Sequence, residues 1–164
     1  MVYLSIGTNI GDKEENLNVA IQEINRQIGN VVSQSAFIAT EPWGFESRNS
    51  FLNACVAVET DLSPTALLDR CQTIERQMGR RQKSIRTKDA DGHETVVYHD
   101  RVIDIDILIY DELIIRTPRL TIPHPLMTRR RFVMEPLAQI AYNLNIPGTS
   151  MSAGEIFNAL AASE

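Results

Sequence analysis

The stretch V-I-D-I-D-I-L-I-Y, residues 102–110, is an apolar run interrupted only by Asp104 and Asp106. Its length, its isoleucines and the turn pair Asp111-Glu112 after it predict a core strand. Strand side chains alternate in direction, so Asp104 and Asp106 share one face while Ile103, Ile105 and Ile107 point to the other, into the core. Two like charges at that separation repel unless something positive lies between them. A hard divalent cation answers this. Mg²⁺ commonly takes one or two protein carboxylates and fills its remaining positions with water and phosphate oxygens. A solvated sheet face is the alternative, and the D-x-D pattern alone does not decide between them.

Working outward from this strand gives the fold. Residues 2–6 read as a short buried strand ended by Gly7, and G-T-N-I-G-D after it holds turn formers. Leu17, Ala20, Ile21, Ile24 and Ile28 recur at helical spacing, with Asp12 as cap and Gly29 as stop. Residues 31–39 read as a strand and 51–60 as another, with Phe51, Asn53, Cys55 and Ala57 on one face and Leu52, Ala54, Val56 and Val58 on the other. Ser63-Pro64 opens a second helix that ends at Gly79. Residues 80–101 are long, polar and without clear period, and read as a loop. A short strand at 113–115, a helix from about Leu126 to Ala141 and a small terminal helix from Ser152 complete the chain. The order is βαββαβ with a helical extension. It predicts an α+β, ferredoxin-like antiparallel sheet with two helices on one face, in a single domain spanning residues 1–164.

Composition narrows the function. The 164 residues carry a net charge of −5, and the pI is about 5.2, which argues against charge-driven binding to nucleic acid or membrane. No apolar run reaches transmembrane length, no signal-peptide layout opens the chain, and Cys55 and Cys71 are too few for a disulfide framework. A cytoplasmic monomer acting on small molecules is the expectation.

Two features flank the aspartates. Residues 79–88, G-R-R-Q-K-S-I-R-T-K, hold five basic residues and no acidic one, and Arg101 lies just before the strand. Beyond it, Pro-His-Pro at 123–125 restrains His124, and Arg129, Arg130 and Arg131 follow. Metal and arginine together suit a polyphosphate. No Walker A loop is present. A further group, Thr40, Pro42, Trp43, Gly44, Phe45, Phe51, Asn53 and Phe132, joins rings that stack on flat ligands with an amide that reads a donor–acceptor edge. A ligand-binding regulatory module and a metal-dependent phosphohydrolase are the competing classes. The first has no need of paired carboxylates opposite a basic segment, and the second would hydrolyse its polyphosphate substrate without an acceptor.

The sequence resembles the 6-hydroxymethyl-7,8-dihydropterin pyrophosphokinase family of folate biosynthesis. The likeness runs from L-S-I-G-T-N-I-G-D through T-E-P-W-G-F, F-L-N-A-C-V and I-E-R-Q-M-G-R to D-R-V-I-D-I-D-I-L, R-L-T-I-P-H-P and R-R-R-F-V-M-E-P-L. It implies transfer of pyrophosphate from ATP to the hydroxymethyl group of the reduced pterin, with release of AMP. Asp104 and Asp106 match the binders of two Mg²⁺ ions. Gln72, Glu75, Lys83, Arg101, Ile107, Arg119, Thr121, His124 and Arg130 match positions around ATP. Thr40, Pro42, Trp43, Phe45, Phe51, Asn53 and Phe132 match the pterin site. Arg101, His124, Arg80 and Asp104 are the implied catalytic set, with Arg80 and Lys83 in a mobile basic loop. Gln82 stands where many relatives have arginine, and Y-H-D-R at 98–101 replaces a familiar R-W-G-P-R.

Overall fold

A computed structural model describes residues 1–40, 50–79, 102–163 and the backbone of 84–88 and 94–98. The central sheet contains β1 (Val2–Thr8), β2 (Asn30–Gln34), β3 (Ile38–Thr40), β4 (Phe51–Glu59) and β7 (Asp104–Tyr110). Its order is β2-β4-β1-β7, with β3 beside β4, and all pairings are antiparallel. This is the expected ferredoxin-like order, and it puts the aspartate strand at an edge.

Helices α1 (Lys13–Gln27) and α2 (Pro64–Gln77) cover one sheet face. Both start as the sequence predicts. Asp12 Oδ1 accepts the Glu15 N–H at 3.1 Å, and Ser63 Oγ accepts that of Ala66 at 3.3 Å ahead of Pro64. Caps of this kind contribute about 1 kcal/mol each. Leu4, Ile6, Ala54, Val56, Val58, Ile105 and Ile107 bury against Leu17, Ala20, Ile24, Leu67, Cys71 and Ile74. The opposite face is also covered, by α3 (Arg131–Ala141) and α4 (Ala153–Ala162), where Cys55, Leu108 and Ile109 pack with Val133, Met134, Leu137 and Ile156. α4 opens with the reciprocal Ser152–Glu155 capping box.

A bulge in β7 lets one strand serve both cores. Its pairing with β1 slips between Tyr3↔Ile109 and Leu4↔Ile107. Ile105 and Ile107 join the α1/α2 core, whereas Leu108 and Ile109 join the α3/α4 core. An extra residue of this kind re-aims the side chains beyond it.

Several expectations need correction. The 31–39 strand is split because Ser35 turns its buried hydroxyl onto the sheet, accepting the Cys55 N–H at 2.9 Å and donating to Ala36 O. Residues 80–101 are not all loop: β5 (Ser84–Lys88) and β6 (Glu94–Tyr98) pair as an antiparallel ladder. The 113–115 strand is instead β8 (Ile115–Arg116), which pairs with β9 (Thr121–Ile122). The helix from Leu126 is divided into a 3₁₀ turn, Met127–Arg129, and α3, with extended backbone at Arg130. Gly7 lies within β1 rather than ending it. A Cβ there would meet Asn53 Oδ1 at 2.7 Å, so the glycine is needed for close approach.

Candidate active site

The face opposite the α1/α2 core carries the polar residues of the site in cross-strand rows. Ser5 of β1 lies between Cys55 of β4 and Asp106 of β7, and Gly7 lies between Asn53 and Asp104. Adjacent strands are about 4.8 Å apart, so Asn53 and Asp104 stand roughly 10 Å apart across the bare backbone of Gly7. Thr40 and Ile38 of β3 extend the rows beside Phe51 and Asn53. Asn53 is buried, and its Nδ2 donates to Thr40 Oγ1 at 3.0 Å, which fixes the amide.

Asp106 opens into a cleft of ≈ 240 Å³ whose wall includes Ile107, Arg119, Thr121 and His124. These residues come from β7, β9 and the segments around it, and all match expected ATP or metal positions. Leu68, Ile105, Pro118, Leu120 and Pro125 supply the apolar remainder. Their part was not legible in the sequence, because it depends on how the β8–β9 ladder folds back beside α2. Asp106 is exposed and Asp104 half-buried.

His124 is held by its surroundings. Its N–H donates to Leu108 O at 2.9 Å, and its Nδ1 accepts the Leu126 N–H at 3.2 Å. With Nδ1 occupied as an acceptor, a neutral ring carries its proton on Nε2. Burial pushes the His124 pKa down; the Asp106 carboxylate opposes this, and the Arg130 guanidinium adds to it.

The cations have distinct partners. Arg119 pairs with Asp69 of α2, a partner the sequence reading missed. Both side chains are more than half exposed, so the pair adds little stability and the guanidinium can exchange onto an anion. Arg130 lies over the Phe132 ring, 5.5 Å from its centroid. Phe132 itself is 37% exposed. Gln72 is exposed on α2, while Glu75 is buried and its Oε2 accepts the Ile105 N–H at 3.1 Å. Phe51 is half-buried at the start of β4. The expected residues Pro42, Trp43, Phe45, Arg80, Lys83 and Arg101 lie outside the described residues.

No cluster of three or more metal-ligating side chains occurs among the described residues. The donor set is thus two carboxylates on one strand face. That is the number Mg²⁺ accepts from protein when phosphates and water complete its shell.

The family model for 7,8-dihydro-6-hydroxymethylpterin-pyrophosphokinase (HPPK) matches residues 3–142. The chain belongs to the HPPK family. A 2-amino-4-hydroxy-6-hydroxymethyldihydropteridine pyrophosphokinase of Porphyromonas gingivalis is 44% identical over 142 residues, covering 86% of this chain and 90% of the relative. The corresponding Methylorubrum extorquens protein is 39% identical over 150 residues, covering 91% and 87%. Among solved structures, the Plasmodium falciparum HPPK-DHPS chain crystallised with pteroate superposes with a TM-score of 0.77 at 14% identity. It covers 98% of this chain, which spans only 42% of that longer one, so this likeness concerns the fold. HPPK membership makes the chain a pyrophosphokinase of folate biosynthesis, with ATP as co-substrate.

Proposed function

We propose that this HPPK protein moves the β,γ-pyrophosphoryl group of ATP onto the hydroxymethyl oxygen of 6-hydroxymethyl-7,8-dihydropterin, releasing AMP. One observation carries the assignment of residues: Asp106, Arg119, Thr121 and His124 converge on one cleft, and the Gly7 row leads from there to Asn53. A row about 10 Å long suits a pterin ring reaching from Asn53 to a hydroxymethyl arm beside Asp104.

Phosphoryl transfer asks a protein chiefly to position reactants and neutralise charge. Asp104 and Asp106 hold two Mg²⁺ ions, which when bound supply charge neutralisation on the phosphates and greater acidity of the pterin hydroxyl. Arg119 leaves Asp69 for phosphate oxygens, and Arg130 turns from Phe132 to do the same. The neutral His124 ring donates from Nε2 to the leaving phosphate oxygen without adding a full charge to the cleft. Thr121, Gln72 and Ile107 orient the nucleotide. Thr40 and Asn53 read the pterin edge, and Phe51 and Phe132 stack on its ring. Asp104 accepts the hydroxyl proton. Arg101, Arg80 and Lys83 add positive charge over the phosphates, and Pro42, Trp43 and Phe45 close the pterin end.

The chain acts as a single domain, residues 1–164, and as a cytoplasmic monomer on small-molecule substrates, with no nucleic-acid or membrane partner. The acidic net charge disfavours charge-driven binding to nucleic acid or anionic membrane, and no described helix is long and apolar enough to cross a membrane. Incubating the protein with ATP, Mg²⁺ and the hydroxymethyl pterin and assaying AMP tests the reading. AMP should appear only with pterin present. AMP or ADP formed equally without it would make the protein a phosphohydrolase.

A further inference from the structure

Helix α2 buries a carboxylate where the metal-binding strand is most exposed to distortion. Glu75 is only 7% exposed, and its Oε2 takes the Ile105 N–H at 3.1 Å. Ile105 separates Asp104 from Asp106, and among the described residues β1 is the one strand that pairs with β7, on one side of it. A backbone amide facing away from β1 therefore meets no strand among the described residues, and a buried amide left unpaired is costly. A serine or glutamine could satisfy it. A buried carboxylate is a more expensive choice, and it makes a stronger bond because the acceptor is charged. That bond fixes the peptide between the two aspartates, and a rotation there would swing both carboxylates.

We propose that Glu75 is a positioning residue, clamping the β7 edge at Ile105 so that Asp104 and Asp106 present their carboxylates to a divalent cation at a fixed spacing. The proposal rests on the metal role given to those aspartates above. The family likeness counts Glu75 among the positions around ATP; in the clamp it acts through the strand backbone, its buried carboxylate bonded to the Ile105 amide. The helix that carries the clamp also carries Leu68 of the cleft wall and Asp69, the partner of Arg119. α2 is thus a second support for the site, behind β7.

Two substitutions separate a clamp from other roles. Glu75→Gln keeps a side-chain oxygen for the Ile105 amide, whereas Glu75→Met fills similar volume without one. Hydrogen exchange of the Ile105 amide, followed by NMR in the metal-free protein, reads the clamp itself. Binding of Mn²⁺ with ATP, followed by water-proton relaxation, reads its consequence without needing turnover. Glu75→Met should lose Ile105 protection and weaken Mn²⁺–ATP binding about 10-fold, in the range of lost outer-shell partners. Glu75→Gln should stay within about 3-fold of wild type in both readouts, a small fraction of the same range. Unchanged Mn²⁺–ATP binding in Glu75→Met would overturn the proposal. So would a Glu75→Gln protein that keeps Ile105 protection yet binds as weakly as Glu75→Met, because charge rather than the bond would then matter. If the wild type binds Mn²⁺–ATP but makes no AMP from the pterin, the functional reading fails while the clamp remains measurable.

Discussion

Asp106 and His124 line one cleft, and the Asp106 carboxylate acts on the His124 ring. Asp106 is exposed and adds little to the core. Asp106→Asn should therefore unfold at the wild-type temperature yet lose on the order of 10²–10³ in kcat, the cost of removing a group that stabilises developing charge. Thermal melts and initial rates on one preparation check both halves. His124 gives a pH prediction. Burial lowers its pKa in the fold, so as pH falls through the ordinary imidazole value of about 6.5 the unfolded chain takes up a proton first. Stability of the metal-free protein should decline with falling pH in that window and be unaffected by this group above it. Urea midpoints between about pH 5 and 8 should show this slope, and His124→Gln should flatten it.

At the scale of elements, the sequence was most legible where one residue type has one structural use. Asp12, Ser63-Pro64 and Ser152 marked three helix starts, and the alternation in β4 separated Asn53 and Cys55 from Ala54 and Val56 as the structure does. The misses have physical causes. Ser35 interrupts a strand through a tertiary bond to Cys55 that no local pattern reveals. Thr95, Val96, Val97 and Tyr98 are good strand formers, but polar surroundings concealed β5 and β6. In α3 the buried stripe is Val133, Met134 and Leu137, which leaves the Phe132 ring outside under Arg130. Of the site, Asp106 and His124 stood out in the sequence pattern, while Ile107, Arg119 and Thr121 entered through the family likeness; one cleft is lined by all five. The apolar wall and Asp69 were not, because they belong to elements distant in sequence. Gly7 supplies the element-scale prediction. In Gly7→Ala the new methyl meets the fixed Asn53 amide between three paired strands. It should cost about 1–3 kcal/mol of stability, as overpacking does. It should also raise the pterin KM several-fold more than the ATP KM, which denaturant titration and steady-state kinetics can separate.

The whole molecule reads as a sheet with two differently used faces. One is buried throughout beneath α1 and α2. The other is sealed by α3 and α4 at the Tyr3, Cys55 and Ile109 end and left polar along the Gly7 row. The β7 bulge reconciles these demands, since it allows Ile105 and Ile107 to anchor the strand in one core while Leu108 and Ile109 anchor it in the other. Two aspartates can then sit on an otherwise apolar strand at its open end. In the proposed reaction this end moves two phosphates together from ATP to a pterin. ³¹P NMR of a reaction containing the protein, Mg²⁺, ATP and 6-hydroxymethyl-7,8-dihydropterin tests it most directly. AMP and a pterin diphosphate ester should grow in equal amounts, with neither ADP nor inorganic phosphate as a primary product. ADP with a pterin monophosphate, or free phosphate released from ATP, would contradict it.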